Sequence, residues 1–214
     1  GCGHGLAGWR AVFGGDGEVP GDEEAVAIWK SHGVPAERIV RLGRGDNFWG
    51  PAGPTGPCGP CSELYFDQGP EFGCDNPNCA PGCDCDRFME YWNLVFVQYE
   101  MDAAGALTPL PKPSIDTGMG LERIASVTQG VSDVFQTDLF AGLMETGSRL
   151  SGVRATDSFA ATRALRVMAE HARSSAFLIM DGILPGNDGR DYVLRRIIRR
   201  AVQQGVSIGL GKPF

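Results

Sequence analysis

The stretch Pro113-Ser114-Ile115-Asp116-Thr117-Gly118-Met119-Gly120-Leu121-Glu122-Arg123-Ile124-Ala125 reads as a strand running into a helix. Ser114 to Thr117 is a short run after two prolines and carries the β-branched Ile115; Leu121, Ile124, Ala125 and Val127 then recur at helical spacing. Gly118 and Gly120 fall at the junction. Glycines there let a phosphate-bearing ligand approach the backbone, and a helix beginning after them offers free N–H groups and its positive dipole end to an anion. Arg123, one turn in, adds a fixed charge on a planar fork suited to phosphate. The same residues also spell an ordinary glycine-rich turn with a surface arginine, because a bare G-x-G is a short pattern that arises often by chance.

Working outward, Ser62 to Phe66 alternates as a strand, and Arg87 to Tyr99 is a longer one rich in aromatic and β-branched residues. Asn93 and Val95 sit two apart on it and so share one sheet face. An amide beside a small apolar residue suits a site that holds an amino-acid carboxylate or amine and excludes larger side chains, and Asp116 is an anion for a ligand's ammonium group. Between the two strands runs Cys74-x4-Cys79-x3-Cys83-x-Cys85, amid Gly, Pro, Asn and Asp. Four such thiolates can close a tetrahedral zinc site. A reduced cysteine-rich insertion without metal is the other reading, since the loop has almost no core of its own.

Further upstream, Asp22 to His32 reads as a helix with Asp22 as its N-cap, Ala25, Ile28 and Trp29 on one face, and Gly33 and Pro35 as its stop. Arg38 to Leu42 is a short strand. Gly43 to Pro60 is so rich in glycine and proline that it reads as one long loop, and long loops in compact domains are usually functional. Its Trp49 reads, from the residues alone, as a tryptophan folded over the loop to shield the core. Gly1 to Arg10 shows no periodicity and is set aside as unassigned. From Thr137 onward the pattern is helical: one helix marked by Leu139, Phe140, Leu143, Met144 and Leu150; a second from Phe159 to Met180 with Leu165, Val167, Met168, Ala172, Ala176 and Ile179 inward; and a third from Asp191 to Val206. His171 is expected to be a packed or solvated helix residue.

The 214 residues suffice for one sizeable core, or one core and part of a second. No apolar run approaches the roughly 20 residues of a spanning helix, and no signal-peptide pattern precedes the folded part. Seven cysteines, clustered in Cys58 to Cys85 apart from Cys2, argue for a reduced, cytoplasmic setting. The net charge of −7 is uneven: residues 1–102 hold 6 Lys or Arg against 16 Asp or Glu, whereas residues 103–214 hold 13 against 10. Five arginines between Arg190 and Arg200 keep a local basic surface within an acidic average. A solvated helix face accounts for the same charges.

The opening stretch resembles the third signature motif of the class II aminoacyl-tRNA synthetases, in the wording Asp116-Thr117-Gly118-Met119-Gly120-Leu121-Glu122-Arg123 of their alanine-specific family. Three further stretches carry the resemblance, in the family's order: Asp46-Asn47-Phe48-Trp49 with Thr55-Gly56-Pro57-Cys58-Gly59-Pro60-Cys61-Ser62-Glu63; Glu90-Tyr91-Trp92-Asn93-Leu94-Val95-Phe96; and Asn187 to Gly205 with its run from Gly189 to Val202. The likeness extends from about Ala11 to the C-terminus. It implies an α+β fold, an antiparallel sheet flanked by helices. Residues 11–136 would be part of the aminoacylation domain, with a Cys-rich insertion at 72–86, and 137–214 the helical start of a domain that recognises the tRNA acceptor stem.

By the same resemblance Trp49, Asn93, Val95, Asp116 and Gly118 line the alanine pocket. Gly118, Gly120, Glu122 and Arg123 meet ATP, with Arg123 on its phosphates, and Asp116 and Arg123 serve catalysis. Asn187, Arg190 and Arg195 face tRNA. Glu63 and Glu122 are acids for a magnesium-linked or supporting role, equally explained as ordinary strand-end and helix-start carboxylates. Cys58 and Cys61 lie within the family's signature loop and are structural, not ligands. ATP and Mg2+ are the implied cofactors, and Zn2+ at Cys74, Cys79, Cys83 and Cys85 rests on the cysteine spacing alone, beside the metal-free reading; alanine and the acceptor stem of the alanine tRNA are the implied partners, and no membrane is. The family's first two signature motifs fall upstream of Asp22 and have no counterpart here. The chain is therefore expected to be an incomplete core that does not activate alanine alone, and a non-catalytic RNA-binding or partner module is the rival reading.

Overall fold

The computed structural model describes residues 8–212. They form two compact units, one ending at Val127 and the other beginning at Thr128, nine residues before the boundary expected from the sequence.

The first unit is built on a mixed sheet. Its strands are β1 (Trp9–Phe13), β2 (Ile39–Leu42), β3 (Phe48–Trp49), β4 (Gly56–Asp67), β5 (Phe88–Met101) and β6 (Leu107–Met119). The order is β2-β1-β4-β5-β6, with β3 paired to β4. All the pairings are antiparallel except β1 with β2. The α+β fold with a largely antiparallel sheet flanked by helices is as expected, and the β1–β2 pair is its one parallel pairing. A parallel pair needs a crossover, and α1 (Glu23–Ser31) supplies it.

Trp9 and Arg10, set aside with the first ten residues, open β1, whose Ala11, Val12 and Phe13 are fully buried. A five-residue strand paired on both edges takes its stability from its neighbours, so it leaves little local pattern. Asp22 caps α1, its Oδ1 accepting the Ala25 N–H at 2.8 Å. Gly33 follows with φ +83°, a left-handed turn that glycine enters without strain. The helix buries Ala25 and Val26 against Val12, Val34 and Ile39, with Trp29 and Phe96 packed alongside. Ile28, expected on that face, is 49% exposed. The Trp29 indole donates to Ser62 Oγ at 2.8 Å, and Ser62 Oγ donates to the Ala11 carbonyl at 3.0 Å, so helix, β4 and β1 are joined by one chain of hydrogen bonds.

The predicted loop from Gly43 to Pro60 is broken into structure: a single turn α2 (Arg44–Asn47), then β3, then the start of β4 at Gly56. Turn residues conceal a strand here because β4 changes register against β5 between Cys58 and Cys61. A Cβ on Gly59 would lie 1.9 Å from the Phe96 carbonyl oxygen. Only glycine allows that approach. Strand β6 is also longer than expected and contains Gly118. Pro109, Pro111 and Pro113 are compatible with it because β6 is an edge strand, paired to β5 alone.

Helix α3 (Leu121–Gln129) buries Ser126, while Leu121 is 55% exposed. The second unit is built on α4 (Asp138–Ser151), α5 (Phe159–Met180) and α6 (Gly189–Ser207). Ser158 caps α5 by accepting the Ala161 N–H at 3.1 Å. The inward stripe of α5 holds Ala161, Ala164, Leu165, Met168, His171 and Ser175, with α6 contributing Leu194 and Ala201. Ala172, Ala176 and Ile179 were expected inward and are exposed. A helix apolar on more than one side does not announce which side is covered.

Gly59→Ala is expected to lower stability by about 3 kcal/mol, the upper range of overpacking costs. Urea unfolding followed by circular dichroism measures it; a midpoint unchanged from wild type would contradict the close approach of β4 and β5.

Candidate functional site

Directly opposed residues on neighbouring antiparallel strands share a face. Cys61, Val95 and Asp116 form one row across β4, β5 and β6, and Glu63, Asn93 and Gly118 form the next. The pairing thus brings Asn93, Val95, Asp116 and Gly118, which the sequence singles out, onto one patch of the face opposite α1. Val95 is buried; Asp116 and Gly118 lie exposed on the edge strand. The Asp116 Oδ1 accepts the Thr117 N–H at 2.8 Å, which turns the carboxylate along the strand and leaves its other oxygen for a cationic partner. A side chain at Gly118 would meet nothing within 4 Å. The protein's own packing therefore makes no demand for glycine at that point.

Trp49 is 41% exposed and pairs with Gly59. Its neighbour Phe48 packs edge-on against Phe13, with the Arg44 guanidinium over its ring. Gly120 follows the end of β6, and its N–H donates to the Tyr91 carbonyl at 3.0 Å. That N–H is spent on the fold. Arg123 also holds the sheet: its Nη1 donates to the Glu90 carbonyl at 2.7 Å and lies 3.9 Å from the Glu90 carboxylate. The side chain is still half exposed. Glu122 is half-buried beside it.

The most unusual group on this face is Glu63, which is 4% exposed. Tyr65 Oη donates to its Oε2 at 2.7 Å and Asn93 Nδ2 to its Oε1 at 3.0 Å. Burial raises its carboxyl to about 7, with the nearby Glu90 and Asp46 charges adding to the shift and the Tyr65 and Asn47 hydrogen bonds opposing it. Burial and Glu63 together push the Tyr65 hydroxyl up as well. Glu63 thus serves as the clamp on Asn93. Asn93 gives its amide N–H to Glu63, so its Oδ1 is turned away; that oxygen is buried and accepts no hydrogen bond among the described residues. Sequence reasoning flagged Glu63 only as an acid and missed the trio; the strand alternation Cys61, Glu63, Tyr65 was the available signal. Beneath them Cys61 is buried, its thiol raised to about 12 by burial first, which suits a packing residue and not a ligand.

In the second unit, Asn187, Tyr192, Arg195, Arg196, Arg199, Arg200 and Gln203 line a surface groove of about 820 Å³. Arg195 Nη1 donates to Asn187 Oδ1, and Arg196 stands 5.9 Å over the Tyr192 ring. No acidic side chain among the described residues pairs with the four arginines. Arg190, also exposed, is the second residue of α6 and does not line the groove.

This sheet, with its motif row at the β5–β6 edge and its separate helical unit, has the makings of a class II synthetase domain, and residues 14–214 match the family model described as tRNA synthetases class II (A). The chain belongs to that family. Its curated relatives are alanine–tRNA ligases: that of Desulforudis audaxviator (strain MP104C) is 56% identical over 197 residues, which is 90% of this chain and 22% of the relative. That of Dehalococcoides mccartyi (strain CBDB1) is 54% identical over 193 residues, 90% of this chain and 22% of the relative. That of Anaeromyxobacter dehalogenans (strain 2CP-C) is 51% identical over 208 residues, 95% of this chain and 23% of the relative. The chain therefore spans between a fifth and a quarter of the length of these relatives.

Because the folded state holds a proton on Glu63 up to about pH 7 and an unfolded glutamate releases it near its ordinary value of 4.5, the folded chain binds more protons in that interval. Stability attributable to Glu63 is present below the unfolded value and is lost as pH rises through 7, by about 3 kcal/mol if the full shift is realised. Glu63→Gln should remove this slope, so that the variant gains on wild type between pH 5 and 8. Parallel denaturation curves across that range would show the carboxyl to be unperturbed.

Proposed function

We propose that this chain is part of the aminoacylation core of a cytoplasmic alanine–tRNA ligase, which activates alanine with ATP and passes the alanyl group to the alanine tRNA. The observation that carries the reading is the patch of Asn93, Val95, Asp116 and Gly118, with the Asn93 amide clamped by Glu63 and its Oδ1 left as a buried acceptor.

On this reading Asp116 takes the charge of alanine's ammonium group and Asn93 Oδ1 accepts one of its N–H bonds. Val95 closes the floor where a larger side chain would go, Trp49 stands at the wall, and Gly118 leaves the ligand room above the edge strand. ATP would come as its magnesium complex, the ion neutralising phosphate charge, and Glu122 would be the acid that serves it. Arg123, tethered to Glu90 yet half exposed, presents its remaining guanidinium edge to the phosphates. The alanine carboxylate attacks the α-phosphate, pyrophosphate leaves, and alanyl-adenylate then donates its acyl group to the terminal ribose of tRNA. Such catalysis rests on positioning and on fixed charge, and needs no covalent protein intermediate. In the helical unit the unpaired arginines of α6 supply phosphate contacts, and Asn187, with Arg190 and Arg195 beside it, meets the acceptor stem.

The test is alanine-dependent exchange of pyrophosphate into ATP, measured in a synthetase of full length carrying this sequence. Asp116→Asn should lower kcat/KM for alanine roughly tenfold to a hundredfold, the worth of one hydrogen bond to a charged group; Asp116 is exposed, so the larger loss expected for a buried charge does not apply. Unchanged activation would remove Asp116 from the site. Val95→Gly should relax discrimination against larger amino acids by about 1 to 3 kcal/mol.

For RNA, Arg199→Ala should weaken binding of all stems alike and reduce the salt slope by about 1, whereas Asn187→Ala should cost about 1 to 3 kcal/mol of discrimination between cognate and altered stems. Equal losses on every stem with Asn187→Ala would assign that residue to positioning only.

A further inference from the structure

The connection from Gly69 to Asp86, between β4 and β5, buries a single side chain among its 18 residues, that of Pro81. It is nevertheless folded into successive tight turns: Phe72 N–H to the Gly69 carbonyl at 3.2 Å, Cys79 to Asn76 at 3.0 Å, Cys83 to Ala80 at 3.0 Å and Cys85 to Cys83 at 2.9 Å. Fixing a residue's backbone costs about 1 to 2 kcal/mol. One buried proline cannot offset that across the segment, so some other attraction must hold the turns together.

The turns converge on sulfur. The Sγ atoms of Cys74, Cys79 and Cys83 all lie within 4.8 Å of one another. Cys85 joins from the side of Cys79, with 3.7 Å between the two Sγ atoms, and stands just outside the mutually close three. Zinc–sulfur bonds of about 2.3 Å in a tetrahedron put the sulfurs about 3.8 Å apart, whereas a disulfide puts them about 2.05 Å apart. Cys74, Cys79 and Cys83 therefore have the spacing of thiolates around one ion and not of a disulfide, and Cys85 stands beside Cys79 as the fourth sulfur. Its surroundings fit the same arrangement. Asn76 Nδ2 points at Cys83 Sγ from 3.7 Å. Arg87, whose fork is bound to both oxygens of Asp67 at 2.8 Å, also faces Cys79. A tetrathiolate zinc centre carries a net charge of −2, and donors of this kind around the sulfurs are what such a centre needs.

We propose that Cys74, Cys79, Cys83 and Cys85 form a structural zinc site that orders the β4–β5 connection. The site is closed, with four protein ligands and no position for substrate, so its role is to fold the segment and not to take part in acyl transfer. The ordered segment reaches across the sheet: Gly82 comes against Leu42 at the end of β2, where a Cβ would lie 2.8 Å from Cδ2. At its root the Asp67–Arg87 pair and the Gln68 N–H to the Arg87 carbonyl at 2.8 Å join it to the strands that carry Glu63 and Asn93.

Elemental analysis of the 214-residue chain, purified without added metal and without chelator, is expected to give one zinc per chain. Cobalt substitution should yield the visible bands and thiolate-to-metal charge transfer of a tetrahedral tetrathiolate. Cys79→Ser and Cys83→Ser should each lower bound zinc at least fivefold, while Cys2→Ser leaves it intact. Chelation of the wild-type chain should speed amide exchange across residues 70–86 and leave β4 and β5 protected; this measurement needs no variant to fold. Less than one zinc in ten chains after reconstitution with zinc, in protein that keeps its circular dichroism spectrum, would overturn the proposal. So would iron in place of zinc, a six-coordinate cobalt spectrum, unchanged zinc in Cys79→Ser, or an intact mass showing a disulfide within the cluster.

Discussion

A carboxylate that is 4% exposed at the centre of the sheet sets terms for everything around it. Removing Glu63 from water is costly unless its oxygens find donors, and the donors come from two strands: Tyr65 on its own and Asn93 on the next. The arrangement works only in one register of β4 against β5. A slip of one residue would send Glu63 to the face covered by α1, away from the Asn93 amide. The same register sets Val95 beside Cys61, and through β5 it fixes which β6 residues lie alongside. The amide of Asn93 is oriented as a consequence, because its N–H is committed before any ligand arrives.

The close approach at Gly59 belongs to the same constraint. Strand β4 passes so close to the Phe96 carbonyl while shifting register that there is no room for a Cβ at position 59, and a glycine is the residue that can do so. The glycine and proline content that makes Gly43 to Pro60 read as loop is thus the material of a bent, buried strand. On the opposite edge β6 tolerates three prolines because it pairs on one side only. Its exposure, Ile115 included, keeps Asp116 and Gly118 accessible.

The helical unit follows a different logic. Its core is a modest seam of alanines with Leu165, Met168 and Leu194, and α6 spends none of Arg195, Arg196, Arg199 or Arg200 on ion pairs within the described residues. Unpaired arginines along one groove repel one another and are favoured only where an anion is brought to them. An acidic chain therefore carries a basic groove, and the average charge conceals it.

By itself the sequence determined the family wording, the helices, most of the strands, and the residues of the motif row. Asp22 as a cap, Ser62 to Phe66 as a strand and Phe159 to Met180 as a helix are set by local chemistry, namely capping oxygens, alternation and helical period, which operate over a few residues and are legible there. What only the tertiary structure decided is long-range. Trp9 to Phe13 becomes a central strand because two others pair with it, and β1 and β2 run parallel because α1 crosses between them. Gly120 spends its N–H on Tyr91 and Arg123 turns to Glu90, neither of which the third motif reveals. The inward faces of α3 and α5 depend on what lies against them, so Leu121, Ala172 and Ala176 ended in solvent. Glu63 looks in sequence like an ordinary strand carboxylate; its shifted proton affinity arises from burial, a property of the packed neighbours and not of the residue.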